Sequence, residues 1–207
     1  MIETLKEGLI IEFIEQSASL ILQGNEDKIL SNVEIFARTC FQSEAREDKL
    51  RTENFVKRLV EKKHASVLEH FNFTARIVTD RAMSHALVRH RHCAFTQEST
   101  HYIDYKKAKN KFTFIIPTGL DEEAKKTFMS TTKKQMLSYI ELYDLVGRDS
   151  SRVALPMSLK TELIMTTNIR EWMYIFQLRL AFDHPQMTAL LGPLREQFKQ
   201  VLPIFFD

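Results

Sequence analysis

FNFTARIVTDRAMSHALVRHRHCAFTQES, residues 71–99, changes hydrophobic period midway and ends in a basic cluster. Its first part alternates as Phe71, Phe73, Ala75 and Ile77, the two-residue period of a strand with one buried face. From Asp80 the period lengthens: Met83, Ala86, Leu87 and His90 fall on one face of a helix that Asp80 can cap and that is expected to end near Arg91. Arg89-His90-Arg91, seven further residues and then Ser99 follow at this helix-to-loop junction, where sites are commonly built.

Outward from this block, the β-branched run Leu9 to Phe13 reads as a strand. Asn25 to Phe41 and Asp48 to Lys63 carry apolar residues at three- and four-residue steps, with Ile29, Val33, Phe36 and Ala37 on one face of the first, so both read as amphipathic helices. Phe112 to Ile116, closed by Pro117 and Gly119, is a further strand. Asp121 to Val146 is a long helix, Met157 to Met165 a strand, Ile169 to Leu180 a helix opened by Asn168, and Pro185 to about Val201 a last helix. Helices and strands mix without repeats or regular βαβ alternation, which favours an α+β fold.

Size and composition narrow the classes. The 207 residues contain five Gly and five Pro, leaving little room for linkers, so one domain over residues 1–207 is expected. Hydrophobic residues at 44% and charged residues at 27% exclude disordered and collagen-like classes. With 29 Lys plus Arg against 27 Asp plus Glu, the net charge of +2 is too small for general adhesion to nucleic acid or lipid. No apolar run reaches the roughly 18 residues of a membrane span, and Glu3, Lys6 and Glu7 do not suit a secretory signal. Cys40 and Cys93 lack CxxC spacing, which suits a reducing cytoplasm.

Arg89, His90 and Arg91 cannot share one helical face, but at a helix end they can converge with Ser99 on an anion, since guanidinium forks and hydroxyls both suit phosphate oxygens. Favourable charge placement at a helix C-terminus explains the same residues without a ligand. His64 to His70 holds two His and a Glu at a second junction, but not as HExxH; His85, His90, His92 and Cys93 also miss common ligand spacings, so no metal site is expected. Arg179, flanked by Phe176, Leu178, Leu180 and Phe182, needs either an internal partner such as Asp183 or a ligand anion. GxGxxG and Walker sequences are missing, so any nucleotide must be held by arginines and helix ends. A nucleic-acid-binding module using Arg89 to His92 with Tyr102 and Tyr105 as stacking surfaces, and a metal-dependent hydrolase using the histidines, are the readings from other classes.

The RHR-x7-S block resembles the signature of the flavin-dependent thymidylate synthases, the ThyX family. So do Ala37 to Phe41, His64 to Thr74, Thr79-Asp80-Arg81, Gln97-Glu98-Ser99-Thr100, Leu155-Pro156, Thr167 to Trp172, Leu178-Arg179 and His184 to Met187, in order along nearly the whole chain. The resemblance implies a mainly antiparallel sheet wrapped by helices, in homotetramers whose active sites are shared between subunits. It implies FAD as cofactor, NADPH as reductant and methylenetetrahydrofolate as carbon donor, converting dUMP to dTMP. Ser66, Glu69, Arg89, His90, Arg91, Asn168 and Arg170 then correspond to residues that hold FAD or shape its pocket. Gln97, Ser99, His101, Arg152 and Arg179 fall on the substrate side, with Ser99 and Arg179 in catalytic positions and Arg179 gripping the pyrimidine.

Two positions depart from that pattern. His101 stands where the family usually has a phosphate-binding Arg, and Ala86 where it has Gln or Glu. Losing one charge-assisted phosphate contact costs about 1.5 to 3 kcal/mol. Three consequences are open: phosphate binding by protonated His101, acceptance of another pyrimidine nucleotide such as UMP or dCMP, or FAD binding without catalysis. The interval from Arg179 to His184-Pro185 is also about one residue shorter than in the family, by resemblance.

Overall fold

The structure is a computed structural model and describes residues 1–4, 10–22, 24–40, 42–43, 48–106, 111–182 and 184–207. In chain order the strands are β1 (Ile2–Thr4), β2 (Ile10–Ile14), β3 (Ser17–Leu22), β4 (Asn72–Asp80), β5 (Ala94–Gln97), β6 (Lys111–Ile115) and β7 (Lys160–Asn168). The helices are α1 (Glu26–Thr39), α2 (Lys49–Glu61), α3 (Arg81–Leu87), α4 (Glu122–Ser151), α5 (Ile169–Ala181), α6 (Pro185–Val201) and α7 (Pro203–Phe206), with short 3₁₀ turns at Ser66–His70 and Arg152–Ala154. This is the expected α+β mixture. Asn25, Asp48, Asp80, Asp121 and Asn168 each accept the backbone N–H three residues on, so five of the helices begin on an Asx cap visible in the sequence.

The chain divides into two compact units. The first comprises Met1–Ser17, Ile77–Arg89 and Thr96–Leu163. In it β1, β2 and β6 form a sheet in that order, β1 antiparallel to β2 and β2 parallel to β6, with Ile10 opposite Lys111 and Ile14 opposite Ile115. Ile11, Phe13, Phe112 and Phe114 pack on Met129, Met136 and Tyr139 of α4, with Tyr105 and Leu159 completing the cluster. The second unit comprises Ala18–Arg76, His90–Phe95 and Ile164–Asp207. Here Trp172 is fully buried, its indole N–H donates to the Phe73 carbonyl at 3.1 Å, and its ring lies 5.0 Å from that of Phe198.

The other sheet runs β3-β4-β7-β5. Ile169 N–H bonds the Phe71 carbonyl and the Thr74 and Thr166 hydroxyls meet at 2.8 Å, so numbering rises on one strand as it falls on the other and β4 is antiparallel to β7. The Thr167 hydroxyl bonds the His92 carbonyl, while Glu98 N–H bonds the Glu162 carbonyl, which makes the β5 edge antiparallel as well.

Several boundaries depart from the sequence reading. Helix α3 ends at Leu87 and the chain turns at Val88, so Arg89, His90 and Arg91 lie beyond the helix. Strand β7 begins at Lys160 because Pro156 to Ser158 form a turn whose Met157 carbonyl accepts from Arg81 N–H. Helix α4 continues past Val146 after a break at Gly147. The expected strand over Leu9 to Phe13 is seen as β2, the helix ending at Phe41 as α1, and Leu9, Phe41 and Asp183 themselves lie outside the described residues. Strands β1, β3 and β5 and helix α7 had no sequence-based expectation. No described helix is long and apolar enough to cross a membrane.

Candidate functional site

The unit containing α5 gathers most of the expected cofactor residues. Asn168 ends β7 and caps α5, its side-chain oxygen accepting from Glu171 N–H at 2.9 Å. That cap starts the helix so that Arg170 lies in its first turn, where the guanidinium pairs with the Glu69 carboxylate from the 3₁₀ turn that also carries Ser66. Arg170 and Glu69 remain 56% and 48% exposed. Ser66 and Arg91 are exposed too.

On the same helix, Glu171 and Arg179 are brought together through His90. The His90 side chain is nearly enclosed, with 4% of it exposed. Arg179 Nε donates to His90 Nε2 at 2.9 Å, and His90 Nδ1 lies 3.2 Å from a Glu171 carboxylate oxygen. A guanidinium can only donate, so Nε2 must offer its lone pair and the imidazole is neutral with its proton on Nδ1, directed at Glu171. Burial and the adjacent Arg179 charge push His90 below the ordinary histidine range, while Glu171 pulls the other way. Both ring nitrogens of this expected cofactor residue are thus engaged by protein side chains. Neighbouring Cys93 is pushed up to about 11 by burial, which leaves its thiol protonated and unreactive at neutral pH.

The unit built on α4 gathers the remaining expected residues, Arg179 excepted. The Gln97 amide donates to Ser84 Oγ at 3.0 Å and Thr161 Oγ1 at 3.2 Å, and Arg81 donates to that same Thr161 hydroxyl and to the Glu98 carbonyl. Glu98 accepts from Lys160 at 2.7 Å and from Glu162 N–H. These bonds fix the strand leading into Ser99, whose hydroxyl accepts His101 N–H at 3.2 Å and whose carbonyl accepts from Tyr102 and Ile103. His101 Nδ1 stands 3.2 Å from the Asp149 carboxylate, and Arg152 Nε donates to the Asp149 carbonyl at 3.1 Å. Two expected substrate-side residues therefore meet at Asp149, just beyond the break at Gly147. Arg89 belongs to this unit and is exposed.

Sequence reasoning had assigned no role to Glu171, Asp149 or Arg81. Glu171 carried a signal, since the residue after Arg170 in the first turn of α5 is adjacent to two expected ligands. Asp149 carried none, because its approach to His101 depends on the turn at Gly147. Asp183, considered as an internal partner of Arg179, lies outside the described residues. Among the described residues no group of three or more His, Cys, Asp or Glu is placed to hold a metal ion.

Comparison with known proteins bears on the family and the fold. Residues 23–204 match the Thy1 family, described as thymidylate synthase complementing protein. The flavin-dependent thymidylate synthase of Geobacter sulfurreducens is 34% identical over 186 residues, covering 84% of this chain and 79% of that protein. That of Pyrococcus furiosus is 37% identical over 123 residues, 56% of this chain and 50% of its own length. The chain spans about half the length of this and two other Pyrococcus relatives that it matches. Among solved structures, a UMP/dUMP methylase, PolB, from Streptomyces cacaoi bound with 5-Br dUMP superposes with a TM-score of 0.77 at 20% identity, covering 94% of this chain and 95% of that one. At that identity the likeness is one of fold. The family match over residues 23–204 and the 34% identity across most of both chains establish that this chain belongs to the thymidylate synthase complementing protein family.

Proposed function

We propose that this chain is a flavin-dependent thymidylate synthase that binds FAD and methylates dUMP to dTMP, with methylenetetrahydrofolate as carbon donor and NADPH as reductant. The observation that carries the reading is Arg179, a guanidinium in an apolar helix turned by a neutral His90. A cation oriented in this way suits an electron-rich pyrimidine that gains anionic character, and charge stabilisation of this kind supplies several kcal/mol in a dry site.

The residues present fit the cofactor. Arg170 lies more than half exposed in the first turn of α5, with one nitrogen on Glu69, and Arg91 and Ser66 are exposed in the same unit. Guanidinium donors, a hydroxyl and a helix N-terminus together suit the diphosphate of a dinucleotide. Ser66, Glu69, Arg91, Asn168 and Arg170 would hold FAD in this unit and His90 would shape the pocket; the family resemblance also assigns Arg89 to FAD. Bound flavin supplies the hydride chemistry that no side chain can. By the family resemblance, Gln97, Ser99, His101 and Arg152 would contact the nucleotide and Arg179 its pyrimidine, in sites shared between subunits. The family resemblance supports a homotetramer, and the two unpaired cysteines are in keeping with a cytoplasmic location.

Purified protein is expected to be yellow and to bleach on addition of NADPH. Tritium release from 5-tritiated dUMP is expected to require methylenetetrahydrofolate. A colourless protein that cannot be reconstituted with FAD and that shifts oligonucleotides would replace this reading with the nucleic-acid module.

A second reading concerns the nucleotide. His101, paired with Asp149, holds a position where the family resemblance places Arg, and the protein of similar fold from Streptomyces cacaoi is a UMP/dUMP methylase. Tritium release from UMP and dCMP beside dUMP separates the substrates. His101→Arg is expected to tighten dUMP binding about tenfold or more, the equivalent of one charge-assisted phosphate contact. An unchanged affinity would remove position 101 from the phosphate pocket.

A further inference from the structure

We infer that Glu171 and His90 are positioning residues for Arg179: the Glu171 carboxylate fixes the imidazole proton on Nδ1, and the lone pair this leaves on Nε2 sets the direction of the guanidinium. The inference rests on the reading above in one respect, that Arg179 meets the pyrimidine. It goes further by naming what aims that arginine.

Three observations carry it. Both bonds of the chain are present, at 3.2 and 2.9 Å. The imidazole between them is 4% exposed and the carboxylate 13% exposed, so water is a poor substitute for either partner. Asn168 caps α5 through Glu171 N–H, which fixes the backbone from which the carboxylate projects. A guanidinium held by its Nε keeps one edge fixed and presents its terminal nitrogens in a set plane. Without Glu171 the imidazole could carry its proton on Nε2, where it would face the guanidinium donor to donor, and Arg179 would turn away.

Protonation of His90 has the same consequence, so the arrangement holds above the histidine pKa and fails below it. Among the described residues, the titratable and charged groups facing the ring are Arg179 and Glu171, with the Tyr174 ring edge-on at 6.1 Å, all from α5. Cys93, a neutral thiol, lies near Glu171. Loss of the Glu171 charge removes a group that raises the proton affinity of His90.

The test compares E171A and E171Q with wild type by tritium release from 5-tritiated dUMP, flavin absorbance and the ¹⁵N shifts of the His90 ring. E171A is expected to lower kcat about 10- to 100-fold, as misaimed catalytic groups do, with flavin occupancy unchanged. E171Q keeps an oxygen for Nδ1–H and is expected to restore most of the rate, but to move the acid limb of the kcat/KM profile to lower pH. A merely structural glutamate would not move that limb. A wild-type rate in E171A, or an acid limb that stays in place in E171Q, would overturn the inference. The ring shifts need no turnover: wild type at neutral pH is expected to show a neutral ring protonated on Nδ1, and E171A a tautomer mixture. A ring protonated on Nε2, or on both nitrogens, would also overturn it. If wild type turns over no pyrimidine nucleotide while the shifts appear as expected, the proposed function falls and the positioning of Arg179 stands.

Discussion

Glu34 illustrates how a single buried charge is held in this chain. Its residue is 1% exposed, Arg38 one turn later pairs with it at 2.6 Å, and the Thr52 hydroxyl on α2 donates to its other oxygen. The carboxylate ties α1 to α2, and its removal leaves a guanidinium that is itself only 14% exposed without its counter-charge. Glu34→Ala is therefore expected to cost about 2 to 4 kcal/mol, read as a lower urea midpoint with an unchanged slope. At this scale the sequence reveals partners only when they share an element. The i,i+4 spacing of Glu34 and Arg38 is open to inspection, whereas Thr52 is not. Arg179 follows the same rule: its need for a partner was legible from its apolar neighbours, but not that one partner is a histidine 89 positions earlier in the chain.

Helix α4 carries the clearest conflict between local propensity and observed form. Its hydrophobic pattern ends at Val146, yet helical structure resumes after Gly147, whose φ of +79° and ψ of 175° are open only to glycine. The break redirects Arg148 to Arg152, so that the Asp149 carboxylate reaches His101. A Cβ at position 147 would meet nothing within 4 Å, so the penalty of a side chain lies in the backbone alone. Gly147→Ala is expected to cost about 1 to 3 kcal/mol and to lower the melting temperature. It should also weaken nucleotide binding, because the helix straightens and withdraws Arg152; calorimetric titration with dUMP checks this. The helices were legible because most announce themselves with an Asx cap and an apolar face. Strand β5 was not: its four residues alternate exposed and half-buried and so bury no complete face, and they owe their form to pairing with β7.

For the molecule as a whole, acid is expected to act through His90. Its native pKa lies below the unfolded value of about 6.5, so between the two the unfolded chain binds the extra proton. The stabilisation is complete above about pH 6.5 and is lost progressively as pH falls from there toward the native value. Thermal unfolding should accordingly show a lower midpoint at pH 5.5 than at pH 7.5, and His90→Gln should flatten that difference. The way the chain is shared out leads to a second expectation. Each compact unit is assembled from three separate stretches: one needs residues 1–17, 77–89 and 96–163, the other 18–76, 90–95 and 164–207. A fragment 90–207 holds the aromatic cluster of Trp172, Phe176 and Phe198 but lacks Phe73, whose carbonyl accepts the indole N–H, together with α1 and α2. A fragment 1–89 lacks α4, against which Phe13 and Ile11 are buried. Neither fragment can close a core, so neither should show a cooperative thermal transition by circular dichroism when expressed alone. A sharp transition in either would mean that a contiguous half of the sequence contains a complete core, contrary to the interleaving seen here.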